Sequence, residues 1–189
     1  MDKRNRLPAV LEPKEAKNLL EIPNKRYPTG LRNIAILSTM LNMGLRVSEV
    51  AGLKSENVSL TECSLKIVNG ISYRDRDLVI PSYTVDILKQ WEKRRIECNY
   101  FFSTLKGTKL STRYIQAMVR RYAEKAKIDK NVTPHTLRHT FATEFYRQSK
   151  DIEMLRRILG LSSINVTQTY IALSNMSTEN KIKEFKEFF

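Results

Sequence analysis

The sequence predicts an α+β fold, mainly α-helical, with a small antiparallel β-hairpin or sheet near residues 64–81. Three observations predict it. Apolar residues recur at helical spacing through most of the chain, with glycines and capping residues at the expected ends. Between Ser64 and Pro81 the period changes, with Leu65, Ile67 and the run Leu78-Val79-Ile80 reading as two short strands. A length of 189 residues, 41% of them apolar, suits one domain with a hydrophobic core, or one domain plus a short extension.

Residues 1–13 are polar and hold two prolines, like the end of a linker entering a domain; 14–189 read as that domain. A first helix is expected from Glu12 to Glu21. A second, from Gly30 to Met43, carries Leu31, Ile34, Leu37 and Leu41 on one stripe and stops at Gly44, a natural left-handed cap. Arg46 follows in a sharp connection, where the scaffold can aim it. The hairpin turn, Asn69 to Asp77, contains Tyr73, Arg74 and Arg76. A helix is expected over Val85 to Arg95, then a brief extended segment at Phe101-Phe102-Ser103. Ser111 opens a helix whose apolar face is Ile115, Met118, Val119, Tyr122 and Ala126, with Arg113, Arg120 and Lys127 on a separate stripe. The helix from Thr133 runs to about Arg147. Asp151 caps the next, which stops at Gly160; Ser162-Ser163 start a further turn delivering Gln168-Thr169-Tyr170. The tail carries Ile182, Phe185, Phe188 and Phe189 on one side, a stripe that needs a partner surface.

Charge narrows the function. With 33 Lys+Arg against 20 Asp+Glu the formal charge is +13, and the pI of about 9.8 points to a polyanionic partner, nucleic acid first. Residues 89–127 hold 11 basic and 3 acidic side chains, so this one region carries most of the excess. Arg113, Arg120, Arg121 and Lys127 are its candidate phosphate contacts. No apolar run reaches membrane-spanning length and the first residues lack a signal-peptide core, which argues against a membrane partner and for the cytoplasm. Cys63 and Cys98 show no metal-ligand spacing and no dense disulfide pattern, consistent with a reducing compartment.

The stretch Thr133-Pro134-His135-Thr136-Leu137-Arg138-His139-Thr140 is the chemical centre of the chain. Thr133 can cap and Pro134 suits the first helical position, where its missing N–H loses nothing. His135 and Arg138, three apart, then share one face beside a helix N-terminus whose amides attract anions. The stretch reads as a phosphate site.

Together with Gly44-Leu45-Arg46-Val47-Ser48-Glu49-Val50-Ala51-Gly52-Leu53 upstream, and Leu159-Gly160 and Gln168-Thr169-Tyr170 downstream, it resembles the tyrosine recombinase (phage integrase) family, in family order and at family-like spacing. The resemblance covers essentially the whole chain as a catalytic domain and does not include the helical DNA-clamping, or core-binding, domain that such recombinases carry before it. It implies a site-specific DNA recombinase or integrase working through a 3′-phosphotyrosyl intermediate, with double-stranded DNA as substrate. Bond energy stays in that intermediate, so no cofactor and no metal are implied. Arg46 and Arg138 match the pair gripping the non-bridging oxygens. His135 matches the residue assisting proton transfer, Glu49 an acidic neighbour steadying the arginines, and Tyr170 the nucleophile. By resemblance, four protomers act on two paired DNA sites on the nucleoid. The tail stripe is the candidate for docking onto a neighbour, with packing on its own domain as the alternative.

Two positions depart from the family pattern. Leu161 stands where histidine or tryptophan usually donates to the phosphate. The hairpin turn offers Arg74 and Arg76 where the family has a lysine general acid. A guanidinium, with a pKa above about 12, is a poor proton donor but keeps its charge, so Arg74 is expected to stabilise the leaving oxygen, ahead of Lys66 on the first strand. These departures motivate an alternative, a DNA-binding relative with weakened or lost catalysis. A third reading, a zinc hydrolase using His135 and His139 four apart on a helix, lacks a third histidine; His139 is better read as a buried or hydrogen-bonded structural residue.

Overall fold

The computed structural model describes residues 8–68, 75–161 and 170–171. Within them, seven α-helices and a three-stranded sheet run in the order α1 (Pro13–Glu21), α2 (Pro28–Met43), α3 (Val47–Gly52), β1 (Val58–Ser59), β2 (Ser64–Ile67), β3 (Arg76–Val79), α4 (Ser82–Glu92), α5 (Thr112–Lys125), α6 (Pro134–Ser149) and α7 (Ile152–Leu159), where the short α3 adds to the expected helices. The strands pair antiparallel in the order β1-β2-β3, with Leu65 opposite Leu78 and Ile67 opposite Arg76. Thus the expected hairpin carries one extra strand, too short to leave a periodic signal. Among the described residues no helix is long and apolar enough to cross a membrane.

The α2 helix is the hub. Thirteen of its 16 residues are buried, because it packs against α1, α3, α4 and α6 at once. The expected single stripe is therefore too narrow, and four of the buried residues, Arg32, Asn33, Ser38 and Thr39, are polar. Arg32 donates to the Ser103 carbonyl at 3.0 Å, and Asn33 donates to the Tyr122 hydroxyl at 2.9 Å, so these two are satisfied within the core. Trp91 of α4 is 1% exposed, and its indole N–H reaches the Phe101 carbonyl at 2.9 Å. The α4 helix begins at Ser82 rather than Val85, since Pro81 supplies the extended residue before it, and it ends at Glu92 rather than Arg95.

Apolar side chains form one large cluster around α2 and a smaller one, Ala142, Leu155, Leu159 and Tyr170, between α6 and α7. Residues 8–12 lie against this body: Leu11 is buried and donates its N–H to the Thr140 hydroxyl at 2.9 Å. The functional side chains lie where the two clusters meet.

Candidate active site

Gly44 ends α2 in the left-handed conformation, φ 66°, and returns its N–H to the Met40 carbonyl. Arg46 follows as the extended residue that starts α3, and Glu49 in the first turn folds back to accept the Arg46 N–H at 2.8 Å. The local sequence thus fixes Arg46 and Glu49 together. The Glu49 carboxylate is almost fully buried and collects further donors: Arg46 Nη1 at 3.0 Å, and Arg76 Nη1 and Nη2 at 2.9 Å each. Arg138 Nη1 stands 4.0 Å away. Burial pushes the Glu49 carboxyl up, but the Arg76 hydrogen bonds and charge, the Arg46 amide and Arg138 outweigh it and hold it below its ordinary value.

Arg76 is the residue that sequence reasoning placed wrongly. It was expected in the hairpin turn; it is the first residue of β3, engaged with Glu49 in a two-bond pair. A signal for this exists in the strand alternation. Arg76 and Leu78 share one face, and Leu78 is buried. Lys66 of β2 is exposed and lies opposite Asp77. Arg74 is outside the described residues.

Thr133 caps α6 as expected, accepting the Thr136 N–H while the Thr136 hydroxyl accepts that of Thr133. His135 is exposed in the first turn, whereas Arg138 is buried one turn on. Arg138 donates to the Gly44 carbonyl and the Leu159 carbonyl, both at 2.7 Å. These are carbonyls at the C-terminal ends of α2 and α7, which lack helical partners and carry partial negative charge. Arg76 Nε donates to the Ile158 carbonyl at 2.6 Å, and Arg46 Nη2 to the Gly160 carbonyl at 3.3 Å. Three consecutive carbonyls at the end of α7 therefore hold three guanidiniums, one each. Burial, then the charge of Arg46, pushes Arg138 down to about 10 against the pull of Glu49, and it remains a cation at neutral pH.

Tyr170 is 4% exposed and packs in the smaller cluster. Its hydroxyl lies 3.1 Å from Nδ1 of His139, not of the expected proton handler His135. The His135 and His139 ring centroids are 6.4 Å apart. Burial raises the Tyr170 phenol above its ordinary value, partly offset by the charges of Arg138 and Arg46. Burial, His135 and Arg138 lower the His139 imidazole. Leu161 is half-buried against the same cluster, where an apolar side chain fits. On α5, Arg113, Arg120 and Arg121 are exposed; Lys127 is exposed too, but it lies past the helix end at φ 54° and so leaves the expected stripe. Residues 162–169 and the tail residues Ile182, Phe185, Phe188 and Phe189 lie outside the described residues.

A model of the phage integrase family matches residues 9–176, a span that includes Arg46, Glu49, Arg76, His135, Arg138 and Tyr170. The chain belongs to the phage integrase family. Family relatives include a tyrosine recombinase of Agathobacter rectalis, 36% identical over 152 residues, covering 78% of this chain and 49% of the relative. The tyrosine recombinase XerA of Thermococcus kodakarensis is 35% identical over 168 residues, covering 87% of this chain and 58% of that protein. The chain therefore spans about half the length of the curated relatives it matches. The crystal structure of a XerA recombinase superposes with a TM-score of 0.82 at 33% identity, covering 93% of this chain and 66% of the other. The helical α+β expectation thus holds.

Proposed function

We propose that residues 14–189 form the catalytic domain of a site-specific DNA recombinase or integrase, with 1–13 leading into it and residues 8–13 already seated on the domain. The observation that carries this reading is the meeting of Arg46, Arg76 and Arg138 on a single carboxylate, Glu49, with the Tyr170 phenol in the field of two of them. Among the described residues three guanidiniums gather at this one carboxylate, and the anion whose chemistry suits such a cluster is a DNA phosphodiester.

The chemistry is a transesterification. The Tyr170 oxygen bonds to phosphorus, the bond to the 5′-oxygen breaks, the phenol proton passes by way of His135, and the departing 5′-oxygen gains a proton. The second strand's 5′-hydroxyl later reverses the step, so bond energy is kept and no cofactor enters. Arg46 and Arg138 hold the non-bridging oxygens, where the charge of the phosphorane develops. The side chain of Arg46 is 21% exposed, against 8% for Arg76 and 6% for Arg138, so Arg46 is the one that meets an incoming phosphate first. The two carbonyls on Arg138 use two of its five N–H donors and fix the plane of the rest. Glu49 with Arg76 steadies the pair, and Arg74 stabilises the leaving oxygen.

Double-stranded DNA is the partner, in the cytoplasm on the nucleoid, with four protomers on two sites. The tail stripe Ile182, Phe185, Phe188 and Phe189 docks on a neighbouring domain. An apolar groove of about 650 Å³, lined in part by Leu20, Leu41, Tyr83, Phe141 and Phe145, offers a receiving surface of suitable chemistry. The deciding experiment incubates the protein with nicked duplex carrying its recombination site and then denatures it. A covalent adduct that persists in excess EDTA and vanishes in Tyr170→Phe is expected. An adduct in that variant would overturn the assignment.

A further inference from the structure

The hydroxyl of Tyr170 meets a histidine that the proposed chemistry leaves without a task. His139 follows Arg138 on α6 and lies one helical turn after His135, so the two rings share a face. Yet they differ in environment. His135 is exposed, while His139 is half-buried with its ring centroid 5.6 Å from that of Tyr170 and its Nδ1 3.1 Å from the phenol oxygen. Among the described residues, His135 and Arg138 of its own helix act electrostatically on His139 and join burial in favouring the neutral ring. The phenol opposite is held in its protonated form by burial. A protonated phenol and a neutral imidazole can pair in two ways, and in the one that leaves the lone pairs of the phenol oxygen free for attack Tyr170 donates O–H and Nδ1 of His139 accepts, with the ring proton on Nε2.

We infer that His139 is the positioning residue of the nucleophile: its Nδ1 accepts the Tyr170 hydroxyl and holds that oxygen beside Arg138 and Arg46 before DNA arrives. The inference rests on the reading of Tyr170 as nucleophile. It also separates two tasks that one histidine would otherwise share. His135, at the exposed helix entrance, faces the solvent from which the DNA phosphate enters, whereas His139, farther in, sets the direction of the attacking oxygen. Among the described residues His139 is the hydrogen-bond partner of the phenol, and without it rotation about the Cα–Cβ bond of Tyr170 would move the oxygen off line.

The contact is testable without DNA. The chain has only two histidines, so the ring nitrogen signals of the full chain assign by a single substitution, and both can be titrated by NMR. Removing the phenol donor with Tyr170→Phe is expected to raise the His139 midpoint by roughly half a unit or more, because the donor favours the neutral ring, and to leave His135 nearly unmoved. An unmoved His139 would overturn the inference whatever the protein does to DNA. The second arm uses a nicked duplex selected from a randomised library by covalent capture on the wild-type protein. His139→Phe, which keeps the ring shape without an acceptor, should slow single-turnover adduct formation about tenfold or more at unchanged DNA affinity. His139→Asn, whose amide oxygen sits near the Nδ1 position, should recover most of the rate, and His139→Gln should not. Asn no better than Phe, or a faster Phe variant, would overturn it. If the wild type captures no duplex, the recombinase reading fails, and the titration arm still decides the contact.

Discussion

Glu49 is the residue on which the site depends, and its sequence neighbours reveal only half of its work. The pairing with Arg46 is local and legible, an acidic residue three places after a helix-starting arginine. The two-bond pairing with Arg76 spans 27 residues and was hidden by placing Arg76 in a turn. Removing the carboxylate would leave three largely buried guanidiniums repelling one another. Glu49→Ala should therefore destabilise the domain by about 3–5 kcal/mol, the range for breaking a buried ion pair, which lowers Tm by roughly 10 °C for a chain of this size. Calorimetry checks this, and a shift of only a degree or two would mean that water already screens the cluster. The pH dependence has a definite sign. The folded carboxyl lies below its ordinary value of 4.5, so the unfolded chain binds its proton first as pH falls. The stability that Glu49 contributes is complete above about pH 4.5 and declines as pH drops through the lowered folded value. Urea midpoints from pH 6 to 3 should thus fall more steeply for the wild type than for Glu49→Gln. His139 is the other residue whose role the sequence concealed. It was rightly expected to be hydrogen-bonded, but its partner, Tyr170, is 31 positions away and no local pattern points to it.

At the level of elements, the helix ends were more legible than the helix faces. Gly44 was expected as a left-handed stop and Gly160 as a stop, and both take the left-handed conformation, at φ 66° and 59°, which glycine adopts without strain. The consequence was not legible: ending α7 at Gly160 presents the carbonyls of Ile158, Leu159 and Gly160 to Arg76, Arg138 and Arg46 in turn. A Cβ added at Gly160 would lie 3.0 Å from Arg76 Nη1 and would also strain the backbone. Gly160→Ala should therefore cost about 1–2 kcal/mol of stability and slow adduct formation further than that destabilisation explains. Gly107→Ala is the control. It has the same backbone strain, φ 76°, but its nearest neighbour would be Cys98 Cβ at 3.5 Å. Equal effects of the two substitutions on cleavage would show that the end of α7 does not organise the arginines. The faces misled for a different reason. A stripe on α2 assumes one buried side, and a helix surrounded by four others has none to spare for solvent, which is why Arg32 and Asn33 are buried there with partners of their own.

Over the whole molecule, a charge of +13 sets how the domain meets a polyanion, and the fold decides which charges count. Of the 11 basic residues between 89 and 127, ten are exposed. Arg95 is half-buried and donates to the Ser55 hydroxyl and the Cys98 and Tyr100 carbonyls, so it holds the chain together rather than DNA. Composition and spacing could identify the basic region, but they could not tell Arg95 from its neighbours, nor see that the helix stops before Lys127. Arg113 and Arg120 remain two turns apart on one side of α5. If each neutralises one phosphate, each releases a condensed counterion on binding, and the slope of log K against log salt shrinks by about one for every phosphate that is no longer neutralised. Replacing both by Gln should flatten the slope by roughly two and weaken binding similarly on all duplexes, because phosphates carry no sequence information. Lys127→Gln, off that side, should leave the slope nearly unchanged. Fluorescence anisotropy on a labelled duplex at several salt concentrations measures both. A slope untouched by the double substitution would move the DNA-binding face away from α5. An equal flattening by Lys127→Gln would extend that face past the helix end.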